Sequence, residues 1–392
     1  MKPTPKTIKR TKFIGLEGLN FAIRPIHTSL ISLLVIRLVD IELWGQFVFY
    51  LLTIEVITMV LNWGQRAYLM REFSLQPQHI GSLLSTTLLA RVPLLIGALL
   101  VLLIWPDFRI YFSSLFLWLT FKWLANLFES LIKFNRTYWH SILAEAIAMC
   151  VAICYLLYHY QTVTMSEVIF AFALSSFARL IVLSPLLKNL TRIKFSWIAL
   201  FSNLKVTLPI FAISIAALLQ VKGDLYTATF MLDDIELAKY QVMISFLVLG
   251  QTIAWMILGP FQKNIYRWKE SSLTELKRKY LILGILISSI FSVLLLFGLR
   301  IFYQIEIEFW YSILFFAYML PLYFYLIESQ LMLKLKQEKK LLKFSFFAAV
   351  VNICAAILLI QFFDIVGALI SGILGSLLMG LLVVNNVKKI VE

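Results

Sequence analysis

Apolar residues occur along the chain in runs of about 20 or more, separated by short polar breaks. They do not form the short alternating segments of a membrane β-barrel, nor the narrow apolar stripe of a helix on a soluble surface. A run of this length is what an α-helix needs to cross the hydrocarbon core of a bilayer. The pattern therefore predicts an all-α polytopic membrane protein.

The lengths of the runs predict about twelve membrane-spanning helices. The predicted spans are Phe13–Leu38, Trp44–Trp63, Ser82–Trp105, Ile110–Lys133, Trp139–Tyr160, Glu167–Leu187, Ala199–Lys222, Ala238–Pro260, Tyr280–Ile301, Phe309–Leu333, Leu342–Phe363 and Ile365–Val387. Dividing these spans equally predicts an N-terminal six-helix bundle at 1–194 and a C-terminal six-helix bundle at 195–392.

The charges support this reading. Hydrophobic residues make up 61% of the chain and charged residues only 14%. In a soluble domain about 25% of all residues are charged, because its surface faces water. Basic residues gather in the N-terminal segment and after every even-numbered span, and acidic residues gather in the other loops. The positive-inside rule then predicts that both termini are cytoplasmic. This topology accounts for the net charge of +14, so we expect contact with membrane lipid and no nucleic-acid partner.

A short internal repeat is visible. Asp40-Ile-Glu-Leu43 follows predicted span one, and Asp234-Ile-Glu-Leu237 follows predicted span seven. The helix before each motif carries a proline, Pro25 or Pro209, which removes a backbone donor and favours a kink. Because six spans separate the motifs, the pattern predicts a parallel repeat with a pseudo-two-fold axis along the membrane normal, and two candidate hinges. The alternative is that proline is simply common in membrane helices.

Several segments resemble one known family. They are Arg37-Leu-Val-Asp-Ile-Glu-Leu-Trp-Gly45, Asn62-Trp-Gly64 with Arg71-Glu72, Lys222-Gly-Asp224 with Leu237-Ala-Lys-Tyr240, and Asn352 with Phe363-Asp-Ile-Val-Gly367-Ala368. In this order and spacing they resemble the polysaccharide transporter family, of the O-antigen flippase type, within the multidrug/oligosaccharidyl-lipid/polysaccharide exporter superfamily. The resemblance implies two six-helix bundles around a central cavity that work by alternating access. It also implies that an undecaprenyl-pyrophosphate-linked oligosaccharide moves from the cytoplasmic to the outer leaflet of a bacterial inner membrane.

Cations inside predicted spans are candidate substrate contacts, because ionisable residues are unfavourable in a bilayer. They are Arg24, Lys122 and Arg179 near the middle of spans one, four and six, and Arg91 in the inner half of span three. Arginine binds phosphate oxygens through paired hydrogen bonds, which suits a pyrophosphate. The alternative is structural ion pairing, of Arg24 with Glu17 or of Lys122 with Glu129.

Carboxylates inside the spans are candidates for coupling transport to a proton or to Na⁺. They are Glu55, Glu129, Glu145, Glu328 and, at the outer end of span seven, Asp224. No other cofactor is expected, and no Cys/His spacing indicates a metal site.

The sequence fits two other functions less well. A drug/cation antiporter of the same superfamily would favour acidic and aromatic residues over arginines in its site. A membrane glycan polymerase or acyltransferase would be expected to carry a large outer loop, whereas every predicted outer loop is short. The sequence contains no P-loop and no Ser/His/Asp set, so we expect a transporter driven by an ion gradient, the membrane potential or removal of substrate. Other glycan assembly proteins are further candidate partners.

Overall fold

The computed structural model describes residues 5–189, 197–259, 265 and 270–391, and these residues form helices without a strand. The helices are α1 (Pro5–Leu38), α2 (Ile41–Asn62), α3 (Gln65–Leu75), α4 (Ile80–Ile104), α5 (Pro106–Arg109), α6 (Phe112–Leu127), α7 (Glu129–Asn135), α8 (Tyr138–Tyr158), α9 (Met165–Leu183), α10 (Trp197–Ala228), α11 (Asp234–Leu258), α12 (Glu270–Gly298), α13 (Tyr311–Lys334) and α14 (Glu338–Val391). Two 3₁₀ helices, Pro77–His79 and Ser184–Asn189, and a π-helix, Leu299–Tyr303, complete the described elements. The predicted all-α class is confirmed.

Within the described part of the chain, eleven helical segments are long and apolar enough to cross a membrane. The last of them has 50 residues, more than twice the about 20 residues that one crossing needs. Inside it, Asp364 has φ 47° and ψ −127°, which is not helical backbone. The segment is therefore two helices that meet at Asp364, so the predicted break between Phe363 and Ile365 and the predicted number of spans are confirmed.

Gly367 lies near this corner, on the second helix of α14, and close to the backbone of the first. A Cβ atom at this position would overlap the carbonyl oxygen of Leu359. We expect Gly367→Ala to lower the free energy of unfolding by about 1–3 kcal/mol, the usual effect of overpacking. Thermal unfolding of the detergent-purified protein measures it. At Gly97 a Cβ would meet nothing within 4 Å, so Gly97→Ala is the matched control; equal losses in both variants would contradict the argument.

The chain divides into two compact units. Unit 1 comprises Met1–Leu33 and Ala216–Glu392, and unit 2 comprises Leu34–Ile215. Helix α1 thus begins in unit 1 and ends in unit 2, whereas α10 begins in unit 2 and ends in unit 1. The halves predicted at 1–194 and 195–392 remain a prediction.

Buried aromatic side chains join three helices in the interior of unit 2. The ring of Phe47 on α2 lies 5.8 Å from that of Trp118 on α6 and 4.9 Å from that of Phe172 on α9. The rings of Trp118 and Phe172 are 5.1 Å apart. Within a membrane such packing, rather than exclusion of water, holds helices together. The cluster fixes the face of α6 that carries Lys122.

The repeated motif marks the starts of two helices. The side chain of Asp40 accepts a hydrogen bond of 2.7 Å from the backbone N–H of Leu43, at the start of α2. At the start of α11 the same bond is made by Asp233, which accepts from Glu236 at 2.8 Å. Each aspartate satisfies an N–H that has no partner within its own helix. The capping residue in the second half is therefore Asp233, one position before Asp234 of the repeated motif.

Candidate functional site

Three of the predicted site residues come together in unit 2. Arg179 on α9 places its Nε atom 3.0 Å from Oε2 of Glu145 on α8. Its Nη2 atom lies 3.4 Å from Oε1 of Glu129, the first residue of α7. The side chains of Arg179 and Glu145 are only 9% and 8% exposed. The charge of Arg179 is therefore shared between two carboxylates in a largely buried place.

A break in the helix of the fourth span builds this cluster. Helix α6 ends at Leu127 and α7 begins at Glu129, where a carboxylate is favoured by the helix N-terminus. Glu129 also lies 3.6 Å from Arg66, an exposed residue near the start of α3. Two arginines and two glutamates thus balance one another. For Arg179 to bind a phosphate, its ion pair with Glu129 or with Glu145 would have to break.

Arg91 has a different set of partners. Its fully buried guanidinium donates to the carbonyl oxygens of Asn62 at 3.2 Å, Trp63 at 3.3 Å and Thr87 at 2.9 Å. It also donates to the side-chain oxygen of Asn203 on α10 at 3.0 Å. The carbonyls of Asn62 and Trp63 lie at the C-terminal end of α2. Their partial negative charge attracts a cation. Arg91 therefore joins α2, α4 and the first part of α10.

Trp63 holds the same part of α10. Its indole N–H donates to the carbonyl of Leu204 at 3.0 Å, and its ring stacks on Phe211 with 4.0 Å between the centroids. The chain turns at Gly64, whose φ of 70° favours glycine, and a Cβ there would lie 2.9 Å from the backbone nitrogen of Phe211. The candidate hinge Pro209 lies inside this anchored part of α10 and is exposed.

Four predicted residues are partly exposed within their helices. Arg24 and Pro25 lie side by side in α1, and Glu55 lies in α2. Lys122 lies in α6, where its Nζ atom is 5.4 Å from the centroid of the buried ring of Trp118. Such a cation–π contact stabilises a charge that has left water. These side chains are more accessible than Arg91 and Arg179.

Glu328 on α13 belongs to unit 1. Its carboxylate lies 3.1 Å from the ammonium of Lys277 on α12, and its side chain is 9% exposed. The charge of Glu328 is therefore compensated by a neighbouring lysine.

Asp224 on α10 is fully buried in unit 1, and its hydrogen-bond partners among the described residues are all neutral. Oδ2 accepts from the hydroxyl of Tyr240 on α11 at 2.6 Å and from the hydroxyl of Tyr318 on α13 at 3.2 Å. Oδ1 accepts from the backbone N–H of Leu225 at 2.9 Å. A Cβ at Gly372 on α14 would lie 2.5 Å from Oδ2, so glycine leaves the room that the carboxylate occupies. The site thus joins four helices around one acidic group.

Amide side chains extend this polar region. Gln220, one turn before Asp224, donates to the hydroxyl of Tyr325 at 3.2 Å. Its backbone carbonyl accepts from Nδ2 of Asn352 on α14 at 3.1 Å. Asn352 is fully buried, and its Oδ1 atom has no hydrogen-bond donor among the described residues. An unsatisfied buried acceptor is unfavourable and suits a small hydrogen-bonding or ionic ligand.

The arrangement around Asp224 can hold a proton or a small hard cation. A buried carboxylate without a cationic partner carries a large desolvation penalty, which a bound proton or cation removes. Carboxylate, hydroxyl and amide oxygens are the ligands that such cations prefer. Within the described residues no group of three His, Cys, Asp or Glu side chains could hold a metal ion.

Sequence reasoning selected Asp224 but not the residues around it. Tyr240, Tyr318, Asn352 and Gly372 are far from Asp224 along the chain, and only the fold brings their helices together. Tyr240 and Asn352 lay in the segments that carry the family resemblance, which was the one available signal. Nothing in the sequence distinguishes Tyr318 or Gly372 from similar residues in other spans.

Solved structures share this fold at low sequence identity. The lipid II flippase MurJ in an inward closed conformation has a TM-score of 0.70 at 15% identity, over 96% of this chain and 87% of that chain. An inward-facing MATE family multidrug resistance transporter of the MOP superfamily has a TM-score of 0.64 at 11% identity, over 97% and 94%. A MATE protein in complex with Br-NRF gives 0.60 at 11% identity, over 98% and 96%. No family model and no curated protein matches the chain.

These likenesses define a class by its fold. The protein has the helical fold of MurJ and the MATE transporters, which confirms the predicted fold class. It is a multi-pass membrane protein. At 11–15% identity the comparison concerns the fold alone, so the substrate is argued from the residues of this chain.

Proposed function

We propose that the protein is a flippase of the O-antigen type, which moves an undecaprenyl-pyrophosphate-linked oligosaccharide between leaflets by alternating access. The observation that carries the proposal is Lys122, a partly exposed ammonium near the middle of the segment Phe112–Asn135. A partly exposed cation at this depth can be reached by a pyrophosphate in transit, whose negative charge it attracts. The fold shared with a lipid II flippase supports the same conclusion.

Arg24 is the second substrate contact of this proposal. Like Lys122, it is partly exposed in the middle of a membrane-spanning helix. Arg91 and Arg179 were predicted for the same role, but their side chains are buried, so a substrate reaches them less readily. We therefore place Lys122 and Arg24 before Arg91 and Arg179 as direct contacts with phosphate.

Asp224 is our first choice for the coupling residue. Glu129, Glu145 and Glu328 each lie within 3.4 Å of a basic side chain, so their charges are compensated without a further ion. Asp224 has only neutral donors, and a proton or Na⁺ would neutralise it during the transport cycle. Glu55 is partly exposed and stays a second candidate.

A drug/cation antiporter is the second candidate function. The acidic and aromatic site of Asp224, Tyr240 and Tyr318 favours it, and MATE transporters share the fold. However, Asp224 is 0% exposed, which suits a proton or a small ion better than a molecule of drug size. Depletion that sensitises cells to cationic drugs but leaves glycan transport normal would favour this candidate.

The proposed location is a bacterial inner membrane, with both termini in the cytoplasm and glycan assembly proteins as further partners. The test is the leaflet position of the lipid-linked oligosaccharide in cells depleted of the protein. A membrane-impermeant glycan probe is applied to spheroplasts before and after permeabilisation. We expect the intermediate to accumulate and to react only after permeabilisation. Normal labelling of intact spheroplasts would contradict the proposal, since the oligosaccharide would then reach the outer leaflet without this protein.

Lys122→Ala should reduce transport without reducing the amount of protein in the membrane. Charge-assisted hydrogen bonds contribute about 1.5–3 kcal/mol, so we expect flipping to fall by about tenfold or more. Lys122→Arg keeps the cation and should retain most activity. The control is Lys343→Ala, which removes an exposed lysine near the start of α14. The leaflet assay compares all three, and equal activity in Lys122→Ala and Lys343→Ala would remove Lys122 from the site.

A further inference from the structure

A polar cavity of about 760 Å³ lies in unit 1, in the connection between α12 and α13. It is lined by Arg300, Gln304, Glu306, Ile307 and Glu308. Its volume falls within the about 300–1,000 Å³ that ligand pockets usually have. None of the predicted transport residues lines it. The charge pattern of the sequence predicts that this end of unit 1 lies on the non-cytoplasmic side of the membrane.

The wall of the cavity is held firmly. Tyr303, Ile305 and Ile307 are buried, while Gln304, Glu306 and Glu308, which alternate with them, are exposed. The hydroxyl of Tyr303 donates to the carbonyl of Ser29 on α1 at 2.5 Å and lies 3.1 Å from the hydroxyl of Ser32. Tyr303 thus fixes this segment against α1, and the residues that follow it line the cavity.

The charged groups of the cavity retain binding capacity. Arg300 donates one N–H to the carbonyl of Ile307 at 3.2 Å, and a guanidinium has five N–H donors. Glu308 accepts one hydrogen bond, of 2.7 Å, from the indole of Trp310. Glu306 has no hydrogen-bonded or ionic partner among the residues that the structure describes. The cavity therefore presents one cation and two carboxylates to a ligand.

Large apolar side chains lie next to the lining residues in the sequence. The exposed ones are Ile301, Phe302, Phe309, Trp310 and Ile313. Aromatic residues gather where a membrane protein crosses the boundary between headgroups and acyl chains. A ligand in this cavity would have its polar part among the charged groups and an apolar part beside these side chains. A membrane lipid has this form.

We propose that the cavity binds the headgroup of a phospholipid that carries both a phosphate and a primary ammonium, as phosphatidylethanolamine does. The fork of the Arg300 guanidinium matches phosphate oxygens. The carboxylates of Glu306 and Glu308 accept the N–H groups of the ammonium, and its positive charge offsets their repulsion of the phosphate. A glycerol headgroup lacks the ammonium, and a choline headgroup has no N–H to donate.

Native mass spectrometry of the purified full-length protein tests this assignment. The protein is titrated with phosphatidylethanolamine, phosphatidylcholine and phosphatidylglycerol of identical acyl chains. We expect phosphatidylethanolamine to bind about tenfold more tightly than the other two, a difference that corresponds to about 1.4 kcal/mol. Equal binding of the three lipids would overturn the proposal.

Variants of the lining residues test whether the preference for phosphatidylethanolamine arises in this cavity. The double variant Glu306→Gln/Glu308→Gln should lose it, and Arg300→Gln should weaken all phosphate-containing headgroups at this site. The controls Glu42→Gln and Arg109→Gln change exposed residues elsewhere and should retain it. A preference that survives the double variant would locate lipid binding outside this cavity and refute the assignment. Free O-phosphoethanolamine is the last arm: affinity equal to that of the lipid would show that the cavity takes a soluble ligand and would overturn its assignment to phospholipid.

Discussion

Replacing Arg179 by alanine should remove most of the protein from the membrane rather than only inactivate it. Arg179 balances Glu129 and Glu145 inside unit 2, at distances of 3.4 and 3.0 Å. Removing one partner of a buried ion pair leaves an uncompensated charge, which destabilises a protein by about 3–5 kcal/mol. Here two carboxylates would lose their main cation together. The amount of protein in membranes and its thermal unfolding in detergent measure the effect.

A neutral version of the cluster separates charge balance from substrate binding. In the triple variant Arg179→Met/Glu129→Gln/Glu145→Gln no buried charge is left uncompensated, so we expect stability close to that of the parent protein. If this variant also flips the oligosaccharide, Arg179 is a structural residue. If it is stable but inactive, Arg179 contacts substrate during the cycle. Normal levels of Arg179→Ala alone would contradict the structural role.

Replacing Asp224 by asparagine should abolish the response of transport to an ion gradient and leave the fold intact. Asparagine has the shape of aspartate and can still accept hydrogen bonds, but it holds no charge that a proton or Na⁺ could neutralise. A tenfold gradient of one coupled ion supplies about 1.4 kcal/mol. This free energy can change the ratio of oligosaccharide between the two leaflets by about tenfold. Proteoliposomes with an imposed H⁺ or Na⁺ gradient measure this response. The variant should show no change in ratio with either ion.

Two further variants test whether Asp224, rather than another buried carboxylate, is the coupling residue. Tyr318→Phe removes one of the hydroxyl groups that bind Asp224 and should weaken the response without eliminating it. Glu328→Gln changes a carboxylate that Lys277 already compensates and should keep the response. If Glu328→Gln loses the response while Asp224→Asn keeps it, the coupling site lies at Glu328 and our choice of Asp224 is wrong.

The spans were predictable because membrane thickness imposes a length on every helix. The polar breaks located most ends to within a few residues, but α12 begins at Glu270 rather than near Tyr280, and α10 continues beyond Lys222 to Ala228. One aspartate between two apolar runs located the corner at Asp364. Solvation by lipid acts on each segment separately, so this information is local in the sequence. The break between α6 and α7 at Phe128 was not predicted. No proline, glycine or polar run marks it, and packing with neighbouring helices decides its position.

The partners of the charged residues were less predictable. The charge pairs that the sequence offered, as the alternative to substrate contact, lay along single helices, as for Lys122 and Glu129. In the structure Arg179 pairs with carboxylates from α7 and α8, and Arg91 binds backbone carbonyls of α2. Such pairs depend on which helix faces which, and a single sequence does not contain this information directly. The same reason explains why Asp224 was selected without Tyr240, Tyr318 and Asn352.

The crossing of α1 and α10 between the units has a consequence for biosynthesis. Residues 1–33 are synthesised before residues 34–215, yet they belong to the unit whose other members begin at Ala216. Unit 2 in turn is complete only when residues 197–215 arrive, because Arg91 and Trp63 bind Asn203 and Leu204 in that segment. Most of helix α1 must therefore remain in the bilayer without the rest of its unit until residues 34–215 have been inserted. A gene cut between the two predicted halves would separate α10 from the tryptophan and arginine that hold it, so neither product would contain all the partners of its own helices.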